Sequence, residues 1–306
     1  MVVCRSNGTP PSRSFGIGEA VERLRAEFPD VSISSLRFLE REGLLGPRRT
    51  AGGHRLFSDD DLERIRLIKR QQQQHRSLAE IRELLLRRDR IGPPRELAER
   101  FVNEIAARNG REAYALIDEA LRVGIPARTL CLEVLTPALE RIGDLWERGE
   151  LDVAHEHLAS AVVRDLLSNL RLYQPPAPPD GRVAVAACAA SERHELGLRM
   201  VTALLEQQGW SVQFLGADTP ASSTVQFVTD NEADLLLIST GAPSERAFVE
   251  DVIAALAAWS PARRPKVVVG GRAAAEVAAG LPVDLVATRA EHLLDWPALP
   301  ATHRPR

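Results

Sequence analysis

The sequence predicts a multidomain chain of the α and α/β classes: a winged helix-turn-helix, then a four-helix bundle, then a doubly wound parallel sheet. Three observations carry this. Residues 14–90 follow a helix, turn, helix, wing, helix plan. Residues 95–172 place apolar side chains at helical spacing throughout. After a proline-rich linker at 173–181, short apolar runs alternate with helix-like segments over 182–300.

The first 13 residues are polar and rich in Ser, Pro and Gly, the composition of a disordered tail. Ile17–Phe28 reads as an amphipathic helix with Ala20, Val21, Leu24 and Phe28 on one side, stopped by Pro29-Asp30. Ser32 or Ser34 can cap the next helix, which turns Leu36, Phe38 and Leu39 inward and Ser35, Arg37 and Arg41 outward. Gly43 suits the residue just past that helix, where a left-handed conformation is needed. Arg48-Arg49-Thr50-Ala51-Gly52-Gly53-His54-Arg55-Leu56-Phe57 reads as a β-hairpin wing, two glycines between short strands. Ser58 followed by three aspartates, and Ser77 with Glu80, are helix starts. An arginine-bearing second helix can enter a major groove, and wing arginines can hold phosphates.

Charge divides the same way. Residues 13–90 hold 17 Arg/Lys against 13 Asp/Glu, whereas residues 91–306 hold 21 against 29. A basic front end on an acidic body points to a polyanion partner for the front end alone. Cys4, Cys131 and Cys188 lie far apart without metal-type spacing, as expected of a reducing cytoplasm. No apolar run is long enough for a membrane span, and no export leader is evident.

The residues of the front end resemble the MerR family of transcriptional regulators: Ile17-Gly18-Glu19, Leu36-Arg37-Phe38-Leu39-Glu40, Glu42-Gly43-Leu44, Arg48-Arg49-Thr50 and Gly53-His54-Arg55-Leu56-Phe57-Ser58. The segment Glu22–Val31 is longer than usual there. The resemblance implies double-stranded operator DNA as partner, contacted by Ser35, Arg37, Arg41, Arg49, His54 and Arg55. The long dimerisation helix usual in the family is not evident, because Ser77 restarts a helix and Gly92-Pro93-Pro94 breaks the chain. Self-association is therefore expected through the C-terminal part.

In the bundle, Leu97, Phe101 and Ile105, then Leu116, Ile117 and Leu121, then Leu130, Leu135, Leu139, Ile142 and Leu145 mark successive helices. Trp146 precedes a break at Gly149, Asp152 can cap the last helix, and Glu156 and His157 sit in its early turns, where they can face across to Trp146. Beyond the linker the strand candidates are Val183–Cys188, Ser211–Leu215, Leu235–Ser239, Val267–Val269 and Leu285–Ala287. Apolar strands with helices between them make a parallel sheet of flavodoxin or Rossmann type, whose ligands sit at the C-terminal strand ends.

Three features fall at that edge: Glu192-x-His194-x-x-Gly197, Ser239-Thr240-Gly241 and Gly270-Gly271. A neutral imidazole suits cobalt, glycines admit a nucleotide tail, and Ser/Thr hydroxyls can hydrogen-bond it. The arrangement resembles the cobalamin-binding domain of methionine synthase and methylmalonyl-CoA mutase. It implies a base-off, His-on corrinoid with His194 as the lower axial cobalt ligand. Glu192 stands where that pattern has Asp and can still orient His194.

The three parts in this order resemble the CarH/LitR class of light-responsive regulators over about residues 14–296. That class implies that Trp146, Glu156 and His157 form a cap over an adenosyl group. It also implies that a dark adenosylcobalamin-bound tetramer holds operator DNA, and that light breaks the Co–C bond, dissociates the oligomer and frees the DNA. One departure is notable: Glu147 follows the capping Trp where the class often has a cobalt-ligating histidine, leaving His155, His157 or water for that role. The competing readings are a regulator sensing cobalamin, or another chromophore, without photochemistry, and a corrinoid methyl carrier. A regulator rather than an enzyme is the leading expectation.

Overall fold

The computed structural model describes residues 14–297 and 299, apart from 262. The polar tail read at residues 1–13 lies outside the described residues. The chain divides after Ile91 into two compact units.

The first unit begins with β1 (Ser14–Gly16), α1 (Ile17–Arg25) and α2 (Ile33–Arg41), then β2 (Arg48–Arg49), β3 (Arg55–Ser58), α3 (Asp59–Gln73) and α4 (Leu78–Ile91). Helix α1 is shorter than its apolar pattern suggested: Phe28 is buried, but from the turn that follows. Ser32 caps α2. Its hydroxyl accepts from the Ser35 amide at 3.1 Å, and the Ser35 hydroxyl accepts from the Ser32 amide at 2.9 Å. At the other end, Gly43 takes φ +69°, and the amides of Gly43 and Leu44 donate to the carbonyls of Glu40 and Leu39. That double closure needs a left-handed residue, which glycine supplies without strain. The wing hairpin pairs Arg49 with Arg55, and β1 adds a third antiparallel strand in the order β1-β3-β2. Phe15, Leu36, Leu39, Phe57, Ile65 and Ile81 belong to one core that sets α2 and the wing on a common base.

The second unit starts with α5 (Pro94–Ala106) and α6 (Gly110–Arg122). A third long helical segment follows: α7 (Ala127–Thr129), a π-helical stretch (Leu130–Leu135) and α8 (Thr136–Glu147). It is followed by α9 (Val153–Tyr173). At the end of the π stretch both the amide and the hydroxyl of Thr136 donate to the Cys131 carbonyl, the hydroxyl at 2.8 Å. The proline-rich segment is anchored at its start: the Gln174 side chain donates to the Ile125 carbonyl at 2.7 Å and accepts from the Ala127 amide at 2.8 Å.

The sheet strands are β4 (Val183–Cys188), β5 (Ser211–Gly216), β6 (Leu235–Ser239), β7 (Lys266–Gly270) and β8 (Leu285–Ala287). Between and after them come α10 (Leu196–Glu206), α11 (Ala221–Asp230), a 3-10 turn (Pro243–Glu245), α12 (Arg246–Ala257), α13 (Ala274–Val277) and α14 (Ala290–Leu294). All pairings are parallel, in the order β5-β4-β6-β7-β8. The order reverses direction between β4 and β6, so the loops after these strands diverge and leave a crevice. Strands β4 and β6 are almost wholly buried, as their apolar runs require.

Candidate functional site

Strand β4 delivers the chain to the crevice at Cys188, whose thiol is pushed up to about 12 by burial and by nearby Glu192, Glu195 and Glu245. Two ties then set the loop. The Ser191 amide, at φ +78°, donates to the Asp218 carboxylate at 2.9 Å, and the Asp218 amide donates to the Glu192 carbonyl at 3.0 Å. Asp218 follows β5, so two strand ends hold one loop. Its contribution was not legible in the sequence, where it lies 24 positions from His194 without a shared motif.

Glu192 turns inward and is 4% exposed, whereas the His194 side chain is 78% exposed. Glu192 Oε1 accepts from the His194 amide at 2.6 Å and lies 2.8 Å from His194 Nδ1. A carboxylate at Nδ1 fixes the tautomer with the proton there, which leaves the Nε2 lone pair outward and without a protein partner among the described residues. Gly241 makes room for this carboxylate: a Cβ there would lie 1.7 Å from Glu192 Oε2. The Gly241 amide donates to buried Glu245 at 2.8 Å. Burial, followed by the charge of Glu192, raises the Glu245 pKa.

Beside this lies a cleft of about 590 Å³. Gly197, Ser239, Gly270 and Gly271 line it from the sheet side, and Leu132 and Thr136 line it from the π-helical stretch and α8. Gly271 has φ +99°, and a Cβ on it would come 2.3 Å from the Thr240 carbonyl oxygen. Only glycine tolerates both that conformation and that approach. Thr240 departs from expectation. It is fully buried, and its hydroxyl donates to the Gly270 carbonyl at 3.2 Å, so it braces the glycine loop and offers no hydroxyl to a ligand. Ser239, half-buried, keeps that position.

On the bundle, Trp146 is 47% exposed at the end of α8, and it does not line the cleft. Nor do Glu156 and His157. Asp152 caps α9 by accepting from the amides of Ala154 and His155. His155 is buried with Nδ1 2.8 Å from that carboxylate, so it is part of the helix cap. The Asp152 carboxyl is held below its usual range by the His155 contact. Glu156 accepts from the Ser160 hydroxyl at 2.9 Å, and exposed His157 lies 3.6 Å from Glu156. Glu147 pairs at 3.9 Å with Arg272, next to the Gly270-Gly271 loop.

In the first unit, Arg37 and Arg41 are exposed on α2, the latter 5.5 Å from the Phe38 ring centre. His54 is exposed at the hairpin tip. The Ser35 hydroxyl is taken up at the helix start, where it donates to the Ser32 carbonyl at 2.8 Å, so it does not point freely to a groove. Arg49 and Arg55 both reach Glu40, each at 2.6 Å.

Comparison with known proteins agrees with this architecture. Residues 17–88 match the MerR HTH family of regulatory proteins, and residues 97–171 and 182–294 each match a B12 binding domain. The HTH-type transcriptional repressor CarA of Myxococcus xanthus is 33% identical over 267 residues, covering 83% of this chain and 87% of the relative. The chain belongs to the CarA/CarH family of MerR-type, B12-binding transcriptional regulators. The repressor CarH of the same organism is likewise 33% identical, over 82% of this chain and 88% of its own length. A monomethylamine corrinoid protein of Methanosarcina barkeri superposes with TM-score 0.56 at 20% identity, over 64% of this chain and 94% of its own, which shows a shared fold. Membership in the CarA/CarH family makes the protein a cobalamin-binding, DNA-binding regulator. Among the described residues no helix is long and apolar enough to cross a membrane.

Proposed function

We propose that this regulator binds adenosylcobalamin base-off, with His194 as lower axial ligand, and that light acting on the bound cofactor changes its oligomeric state and its grip on operator DNA. The observation that carries the reading is the Glu192–His194 pair: a buried carboxylate on Nδ1 and an exposed Nε2 without a protein partner among the described residues. That donor set fits a cobalt ligand, and the adjoining cleft lined by Ser239, Gly270 and Gly271 suits a nucleotide tail. When bound, adenosylcobalamin supplies a light-cleavable cobalt–carbon bond.

The chain's own residues do the rest. Glu192 holds the His194 tautomer, Gly241 leaves space for Glu192, and Thr240 holds the glycine loop open for the tail. Trp146, Glu156 and His157 supply an aromatic face and polar groups for the adenosyl side. Half-exposed Trp146 gains burial when that side is filled. The bundle and sheet are the two-state element, and homo-oligomers, dimer to tetramer, form through the C-terminal domains.

The test is anaerobic reconstitution in the dark with adenosylcobalamin, then spectra, oligomer mass and DNA binding before and after green light. Absence of uptake overturns the reading. Uptake with no change on illumination favours a regulator that senses cobalamin itself. One observation already leans that way: Glu147, in the position after Trp146, is directed to Arg272 and cannot act as a ligating histidine.

A further inference from the structure

The wing poses an electrostatic problem. Arg49 and Arg55 are register partners across the hairpin, and like charges directly opposite repel. Glu40, on α2, lies between them: Oε1 is 2.6 Å from Arg49 Nη2 and Oε2 is 2.6 Å from Arg55 Nε. The Glu40 side chain is only 20% exposed, so the pairing is partly shielded from solvent. The hydrogen bond from Arg55, then that from Arg49, draws its carboxyl below the usual range, against the opposing effect of burial. Neighbouring Arg37, Arg41 and Arg48 are exposed and have no ion pair among the described residues. The arginines of this face thus fall into a free set and a set tied to the helix that would read the groove.

We propose that Glu40 restrains the sequence-independent attraction of the wing to phosphates: it ties both wing arginines to α2 and cancels one of their two charges. This rests on the reading that the first unit binds DNA through α2 and the wing. Phosphate attraction is blind to sequence and grows with each counterion released. A wing with one net charge in place of two therefore releases fewer counterions and binds phosphates more weakly, and the effect is read directly on random DNA, where base contacts contribute least.

The experiment uses the full chain and a random-sequence 30-base-pair duplex, titrated across a salt series. Glu40→Gln is expected to steepen the slope of log K against log salt by about 0.9, one further phosphate neutralised, and to tighten binding up to about eightfold at 0.1 M salt. Adding Arg49→Gln to Glu40→Gln restores one net wing charge, and the slope is expected to return to that of the unaltered protein. A carboxylate that only builds the hairpin would leave the slope unchanged in Glu40→Gln. The double variant would then be shallower than the unaltered protein by about 0.9, and either result overturns the proposal. The double variant decides the matter alone if Glu40→Gln does not fold. If the unaltered protein shows no salt-dependent binding, the DNA reading falls along with the inference. If it binds and only the slopes disagree, the inference alone falls.

Discussion

The two candidate faces around the cofactor position are built differently. On the sheet side, Glu192 is buried, its partner His194 is held by two contacts to one carboxylate oxygen, and the loop is tied to Asp218 beyond the next strand. On the bundle side, Trp146, Glu147 and His157 are all exposed, and of these three Glu147 pairs with the sheet domain, with Arg272 at 3.9 Å, whereas the firmer ties between bundle and sheet, such as Arg128–Asp295 at 2.9 Å, lie elsewhere. The sheet side is pre-organised. The bundle side presents exposed side chains with fewer ties. Under the proposed function this asymmetry suits a sensor, in which the lower ligand stays and the upper group leaves.

The comparison can be broken in graded steps. His194→Ala removes the pre-organised donor, so cobalamin affinity should fall by more than about 100-fold, beyond the range seen for outer partners. Equilibrium dialysis with absorbance checks it, and retention of tight binding would place the lower ligand elsewhere. Gly241→Ala is expected to act on the same face without touching His194. Its Cβ would lie 1.7 Å from Glu192 Oε2, so the carboxylate must leave. Affinity should drop about 10- to 100-fold, matching Glu192→Gln. If Gly241→Ala were harmless, Glu192 would not be the orienting group.

Smaller effects belong to the bundle side. Trp146→Ala should cut the preference for adenosylcobalamin over methylcobalamin about tenfold, the equivalent of about 1.4 kcal/mol of aromatic contact, while leaving total corrinoid uptake nearly intact. Competition binding in the dark measures this. Glu147→Gln should matter least. An exposed pair at 3.9 Å contributes little, so less than about a threefold change in affinity is expected. If Glu147→Gln matched Trp146→Ala, the bundle would be latched by charge and the asymmetry drawn above would be wrong. At the thiols, burial raises Cys131 and Cys188 to about 12, so neither should be alkylated in the native protein at pH 8, where thiolate is scarce. Labelling before and after unfolding, read by mass spectrometry, tests it.

Much of the plan was legible because its signals are local. Capping Ser32 and Ser58, the glycine after α2 and the paired glycines of the wing each satisfy backbone groups within a few residues, so sequence spacing reports them. The apolar runs of β4 and β6 identify central parallel strands for the same reason. Strand β1 escaped notice: three residues are too few to establish a period, and only pairing with β3 makes them a strand. The π-helical stretch also gave no signal, since its residue types are those of any buried helix.

Motif spacing and family resemblance together named the candidate site, and His194 with its acidic neighbour two positions earlier could be picked out from the chain by itself. Which groups are free to act was decided only by tertiary structure. Thr240 and Ser239 are adjacent and similar in chemistry, yet one hydroxyl is spent on the Gly270 carbonyl and the other borders the cleft. His155 and His157 differ in the same way, one locked to a helix cap and one exposed. Arg49 and Arg55 look in sequence like Arg37, but Glu40 holds them. The physical reason is common to all three. Sequence specifies what a side chain can donate or accept, whereas partners distant in the chain determine whether that capacity is already used.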